Sequence, residues 1–169
     1  EYERIYFGKG NSDKELMLQA AKITAEYIEQ NFKNKKYICV CGPGNNGGDC
    51  YYVGIYLYKA GFDVKIINAL EHKTKSYLCF EAFNNARDLN LIHEPLILNN
   101  LHKDVLIIDA IFGTSLKGSL DKSIINLIQT MNSYENILSI DIPSGINPDT
   151  GVACEAYVNA KKTISFVGR

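Results

Sequence analysis

The chain lacks any run of about 18 apolar residues, so no segment has the length of a membrane-spanning helix. No basic stretch followed by an apolar core marks the start for secretion. Charge of neither sign dominates; the formal net charge is −1, which argues against a general nucleic-acid binder held by phosphate contacts. There is no C-x-x-C pair. The five cysteines, Cys39, Cys41, Cys50, Cys79 and Cys154, are odd in number, which disfavours zinc ligation and a disulfide framework. A reducing compartment is the expectation, cytoplasmic or organellar, with mitochondrion and plastid both open. Histidine is scarce: His72, His93 and His102 fall in polar connecting stretches, so imidazole chemistry is not expected. Repeats, low-complexity tracts and linkers are also missing.

What remains is a chain of 169 residues, 46% hydrophobic and 22% charged, enough to pack one domain. Helical and strand patterns alternate along it. Asn11 or Ser12 caps a first helix, with Glu15 set as in a capping box, and an apolar face runs to about Phe32. Strands are expected at Tyr37–Cys41, Val64–Ile67, Val105–Ile108, Ile137–Ile140 and Thr163–Val167, with a short edge strand at Leu96–Leu98. Helices are expected over Asp49–Ala60, Lys73–Leu89 and Asp121–Met131. That alternation predicts βαβ units with right-handed crossovers: an α/β fold whose central sheet is mostly parallel and covered on both faces.

The organising stretch is Cys39 to Asp49, Cys-Val-Cys-Gly-Pro-Gly-Asn-Asn-Gly-Gly-Asp. A continuous apolar run leads into glycines 42, 44, 47 and 48, and a helical pattern follows. Strand, glycine loop and helix is how open α/β sheets build a ligand site. Gly42 to Gly47 satisfies G-x-G-x-x-G, yet an ordinary dinucleotide fingerprint is not expected. Pro43 removes one N–H that a phosphate could use. Asp49, placed at the helix start, would repel a phosphate there. Two amides and a carboxylate instead suit a hard cation or polar ligand groups. The alternative is a tight turn with Asp49 as a plain N-cap.

Two further strand ends carry oxygen-bearing residues followed by glycine: Asp109 with Gly113, and Asp141 with Ser144 and Gly145. Ligands in such sheets bind beyond the carboxyl ends of the strands, so three polar loops on one edge point to one site. A Ser144 hydrolase is excluded, because no G-x-S-x-G elbow surrounds it and no histidine is placed to activate it. A generic dehydrogenase expects an acidic residue about 20 positions past the glycines. Asn68 or Glu71 could pose as that residue, but Pro43 and Asp49 still speak against it.

Three motifs stand in order: Gly-Pro-Gly-Asn-Asn-Gly-Gly-Asp (42 to 49), Asp-Ala-Ile-Phe-Gly (109 to 113) with Lys117-Gly118, and Ser-Ile-Asp-Ile-Pro-Ser-Gly (139 to 145). In these the chain resembles the YjeF N-terminal family, the NAD(P)HX epimerases, along nearly its whole length. The resemblance implies a three-layer αβα Rossmann-like sandwich, and one domain over residues 1–169 that continues past both ends. It implies interconversion of the R and S forms of hydrated NADH or NADPH, linked to an ADP- or ATP-dependent dehydratase, and a homodimer. The ligand loops carried over are Asn45, Asn46, Gly47, Gly48 and Asp49, then Gly113, Thr114, Ser115, Leu116, Lys117, Gly118 and Ser119, with a further contact at Asp141. The implied potassium ion falls to Asn46, Asp109 and Ser144. Cys50 replaces a glycine usual in the family, and with Tyr51 and Tyr52 behind it is expected to narrow the pocket.

Inverting the hydroxyl-bearing carbon calls for an acid and a base. Asp141 is expected to move the proton and Asp109 to position, beside the cation. The rival reading is a non-catalytic dimerisation scaffold like those of enhancer-of-decapping proteins. The intact acidic and amide positions favour the enzyme.

Overall fold

Short, β-branched runs form the middle of the sheet. In the computed structural model, which describes residues 12–32, 36–100, 104–114 and 118–166, strands β1 (Lys36–Cys41), β2 (Asp63–Asn68), β3 (Ile92–His93), β4 (Leu106–Ala110), β5 (Ile137–Ile140) and β6 (Lys162–Ile164) make one sheet. Their order is β3-β2-β1-β4-β5-β6, and every pairing is parallel. This is the doubly wound arrangement, and its strand order reverses between β1 and β4.

Alternation divides the sheet between two cores. Tyr37, Cys39 and Cys41 of β1 point to one face and Ile38 and Val40 to the other, all nearly or fully buried. The first face is covered by α1 (Asp13–Asn31), α2 (Asn45–Lys59) and α3 (Tyr77–Asp88), the second by α4 (Lys122–Met131) and a 3₁₀ turn at Pro95–Asn100. The chain therefore has the αβα layering expected of it. Ser12 caps α1 in a full capping box with Glu15; Asn11 lies outside the described residues. Among the described residues no helix is long and apolar enough to cross a membrane. All five cysteines are free.

Four expectations need correcting: the last strand, expected over Thr163–Val167, is Lys162–Ile164, with 165 and 166 outside it and Val167 outside the described residues. The edge strand is Ile92–His93, so His93 lies in the sheet, and Leu96–Leu98 lies in the 3₁₀ turn. Pro95 opens that turn, where its missing N–H costs nothing. α3 begins only at Tyr77, because Ser76 caps it by accepting from the Cys79 N–H. On it Tyr77 and Phe80 are 81% and 53% exposed, while Cys79, Ala82 and Ala86 are buried. Finally, α2 starts at Asn45, not Asp49, because Gly47 and Gly48 are inside the helix.

Candidate active site

Register brings the three polar loops together. Cys41 pairs with Ala110 and Asp109 with Ser139, so the carboxyl ends of β1, β4 and β5 lie side by side. Contact between the first two loops is close enough to require glycine. A Cβ on Gly42 would sit 1.8 Å from the Ile111 carbonyl oxygen, and one on Gly47 would sit 2.0 Å from that of Gly42.

The early start of α2 changes what its first turn offers. Gly44 is the N-cap, no described side chain caps it, and the first helical bond runs from Gly48 N–H to Gly44 C=O at 3.1 Å. The amides of residues 45–47 therefore lie at an open helix N-terminus. Asp49 lies a turn further in and is neither a cap nor a barrier there, contrary to expectation. Cys50 and Tyr51 are fully buried, with Cys50 Sγ 3.9 Å from the Ile108 carbonyl, so they pack beneath the sheet and do not narrow the site.

Asn46 ties the loops into one unit. Its Nδ2 donates to the Phe112 carbonyl at 2.8 Å and to the Ile140 carbonyl at 3.2 Å. Its Oδ1 is buried and has no hydrogen-bond partner among the described residues. Ser144 Oγ accepts from the Phe112 N–H at 3.0 Å. Asp109 is sealed from solvent. Its carboxylate accepts from Ser139 Oγ at 2.7 Å, Ser144 N–H at 2.9 Å and Ile111 N–H at 3.3 Å. Burial raises its proton affinity, and those donors, Ser144 first, oppose the rise. A carboxylate, a hydroxyl and an amide oxygen without a partner form a hard-oxygen donor set. The residues fit a hard cation, and the unpartnered Asn46 oxygen is the observation that carries the fit.

Asp141 is the carboxylate that reaches the open edge. It follows β5 in a left-handed conformation, φ 69°, which Asp tolerates better than most residues. Its Oδ2 accepts from the Thr114 N–H at 3.0 Å. Gly113 leaves it room, since a Cβ there would lie 2.8 Å from Asp141 Oδ2. Asp49 is the candidate residue whose surroundings sequence reasoning undervalued. Burial, reinforced by the charge of Asp141, pushes its carboxyl up to about 7. The signal was present in the apolar helix around it: a carboxylate in the second turn of a core helix must lose water.

Of the loop after β4, Gly113, Thr114, Gly118 and Ser119 are described, and Gly118 takes a positive φ of 83°. Ser115, Leu116 and Lys117 lie outside the described residues. Asn45 stands at the rim, its Oδ1 accepting from Ser76 Oγ at 2.8 Å.

A doubly wound parallel sheet with oxygen-lined loops at its switch point defines a Rossmann-like small-ligand domain. The chain belongs to the family described as YjeF-related protein N-terminus, which matches residues 13–168. It is 31% identical over 169 residues to the bifunctional NAD(P)H-hydrate repair enzyme Nnr of Coxiella burnetii, covering 99% of this chain and 35% of that one. It is 32% identical over 167 residues to the NAD(P)H-hydrate epimerase of Plasmodium vivax, covering 94% of this chain and 56% of that one. The chain thus spans about a third of one relative and little over half of the other. Among solved structures, yeast ynu0 superposes with a TM-score of 0.75 at 22% identity, over 91% of this chain and 70% of that one, which shows the shared fold.

Proposed function

We propose that the chain is an NAD(P)H-hydrate epimerase, an isomerase that inverts the hydroxyl-bearing carbon of hydrated NADH or NADPH. The observation that carries the reading is the carboxyl pair at the switch point: Asp141, oriented by the Thr114 N–H, and Asp49, with a proton affinity near neutrality. Epimerisation through loss and return of water needs one group to protonate the departing hydroxyl and one to take a proton from the returning water. Electron release from the ring nitrogen expels the protonated hydroxyl as water. A second water adds to the opposite face of the ring and gives up a proton. Asp141 transfers the proton at the reacting carbon, and Asp49 is the neighbouring carboxyl that holds or accepts one near pH 7. Asp109 is too enclosed to touch substrate. It positions Ser144 and the loop carrying Ile111.

Asn46, Asp109 and Ser144 would hold a potassium ion, which when bound supplies a fixed positive charge beside the substrate. The relatives named as bifunctional repair enzymes support a functional link to a dehydratase that consumes the S hydrate. A homodimer in a reducing compartment completes the reading.

The test is epimerisation itself. The S form of the mixed hydrates of NADH is removed with excess dehydratase, and the chain is added with potassium present. The expected result is consumption of the R form above its spontaneous rate, and a loss of about 10²- to 10⁴-fold in Asp141→Asn. Asparagine tolerates the left-handed backbone at 141, so that variant folds. A folded wild-type chain that leaves the R form untouched refutes the reading.

A further inference from the structure

A cavity of about 710 Å³ opens beyond the C-terminal end of β2, lined by none of the carboxyl-site residues. Its walls carry Glu71, Lys73 and Lys75 from the loop after β2, and Tyr77, Phe80 and Phe83 from α3. The aromatic residues stand three apart, on one stripe of the helix. Tyr77 and Phe80 are 81% and 53% exposed, unusual for rings bordering an apolar core. The floor is firm. Phe83 meets Tyr51 edge-on with ring centroids 5.7 Å apart, and Tyr51 Oη donates to Asn68 Oδ1 at 3.2 Å. Lys75 Nζ lies 4.6 Å from the Phe83 ring centre.

This cavity and the carboxyl site share a wall. Ser76 N–H donates to the Pro43 carbonyl at 2.9 Å and Ser76 Oγ to Asn45 Oδ1, stapling the loop after β2 to the glycine loop. Asn45 adjoins Asn46, beside which Gly113 and Asp141 are packed. The open N-terminus of α2 lies between the two.

We propose that this cavity holds the adenosine half of a dinucleotide whose nicotinamide half lies at Asp141. The inference rests on the epimerase reading for the identity of the reacting half. Exposed rings offer a face for adenine to stack on. Two ammonium groups against one carboxylate give the cavity a positive balance, suited to nucleotide phosphate. Glu71 follows the second strand, where doubly wound folds place the carboxylate that accepts from ribose hydroxyls. The diphosphate crosses the amides of the first turn of α2, which no described side chain caps.

The test uses 5′-AMP, which lacks the reacting half. Calorimetric titration of the full chain should show saturable uptake. Phe80→Ala, at an exposed position, should keep the fold and weaken uptake about tenfold, the scale of one base–aromatic stack. Asp141→Asn should leave it unchanged. In the epimerisation assay Phe80→Ala should raise KM and spare kcat. Absence of AMP uptake at millimolar concentration, or uptake indifferent to Phe80→Ala, overturns the inference. So does a Phe80→Ala that alters only the sedimentation of the chain, which would make these rings a contact between copies. AMP uptake lost in Phe80→Ala by a chain that does not epimerise would sink the chemistry and leave the cavity's assignment standing.

Discussion

Asp49→Asn isolates one half-buried carboxyl. In the folded chain this group stands at about 7 against an ordinary 3.8, because burial and then the charge of Asp141 disfavour its ionised form. At about 1.4 kcal/mol per tenfold change in proton affinity, that difference corresponds to about 4 kcal/mol. The sign follows from which state holds the proton. Below about pH 3.8 the group is protonated folded and unfolded alike, and its stabilising contribution is fully present. Between about 4 and 7 the unfolded chain releases a proton that the folded chain keeps, so stability falls as pH rises. Above 7 the loss is complete. Asparagine carries no charge to bury. Asp49→Asn should therefore match wild type near pH 4 and exceed it at pH 8 by up to about 4 kcal/mol. Urea unfolding of both proteins by circular dichroism at pH 4.5, 6 and 8 reads the gap directly. A gap that fails to widen with pH, or a variant weaker than wild type at pH 8, refutes the argument. The same variant should lose epimerase activity, a gain in stability bought at the cost of function.

Gly47→Ala drives a methyl to 2.0 Å from the Gly42 carbonyl, where only backbone can move; a loss of about 3 kcal/mol or more should appear as a lower Tm. Cys50→Gly should not open the site, because Cys50 lies in the core. It should lower stability by about 2 kcal/mol, through a cavity and a mid-helix glycine, with KM unchanged in the epimerisation assay. Asp109→Asn sets an amide against the donors of Ile111, Ser139 and Ser144 and should cost about 3 kcal/mol in urea unfolding.

The centre of the fold was legible because its strands are buried on both faces and read as unbroken apolar runs: β1, β4 and β5 lie within two residues of expectation. The site was legible for a related reason. Aspartate at the end of such a run has few other uses, and Asp109 and Asp141 fall on one edge once the strands pair in parallel. The start of α2 was hidden because glycine signals a loop by composition. Gly47 and Gly48 lie in the helix, and they are glycine because neighbouring backbone and Met17 leave no room for a side chain. That misplacement made Asp49 look like a cap and Cys50 like a pocket wall. On α3, periodicity gave the helix but not which aromatic rings it would bury. That choice depends on how α3 is set against α2, a tertiary fact that no local pattern encodes.

Asn46 bonds to carbonyls 66 and 94 residues away, at Phe112 and Ile140. No continuous stretch of the chain shorter than that span contains the site. A chain divided between β4 and β5 would yield two pieces, one holding the amide and the other Asp141, each chemically silent. Activity regained on mixing them would report reassembly of the whole sheet, so a break in the connection between these strands would turn the domain into a sensor for whatever brings its halves together.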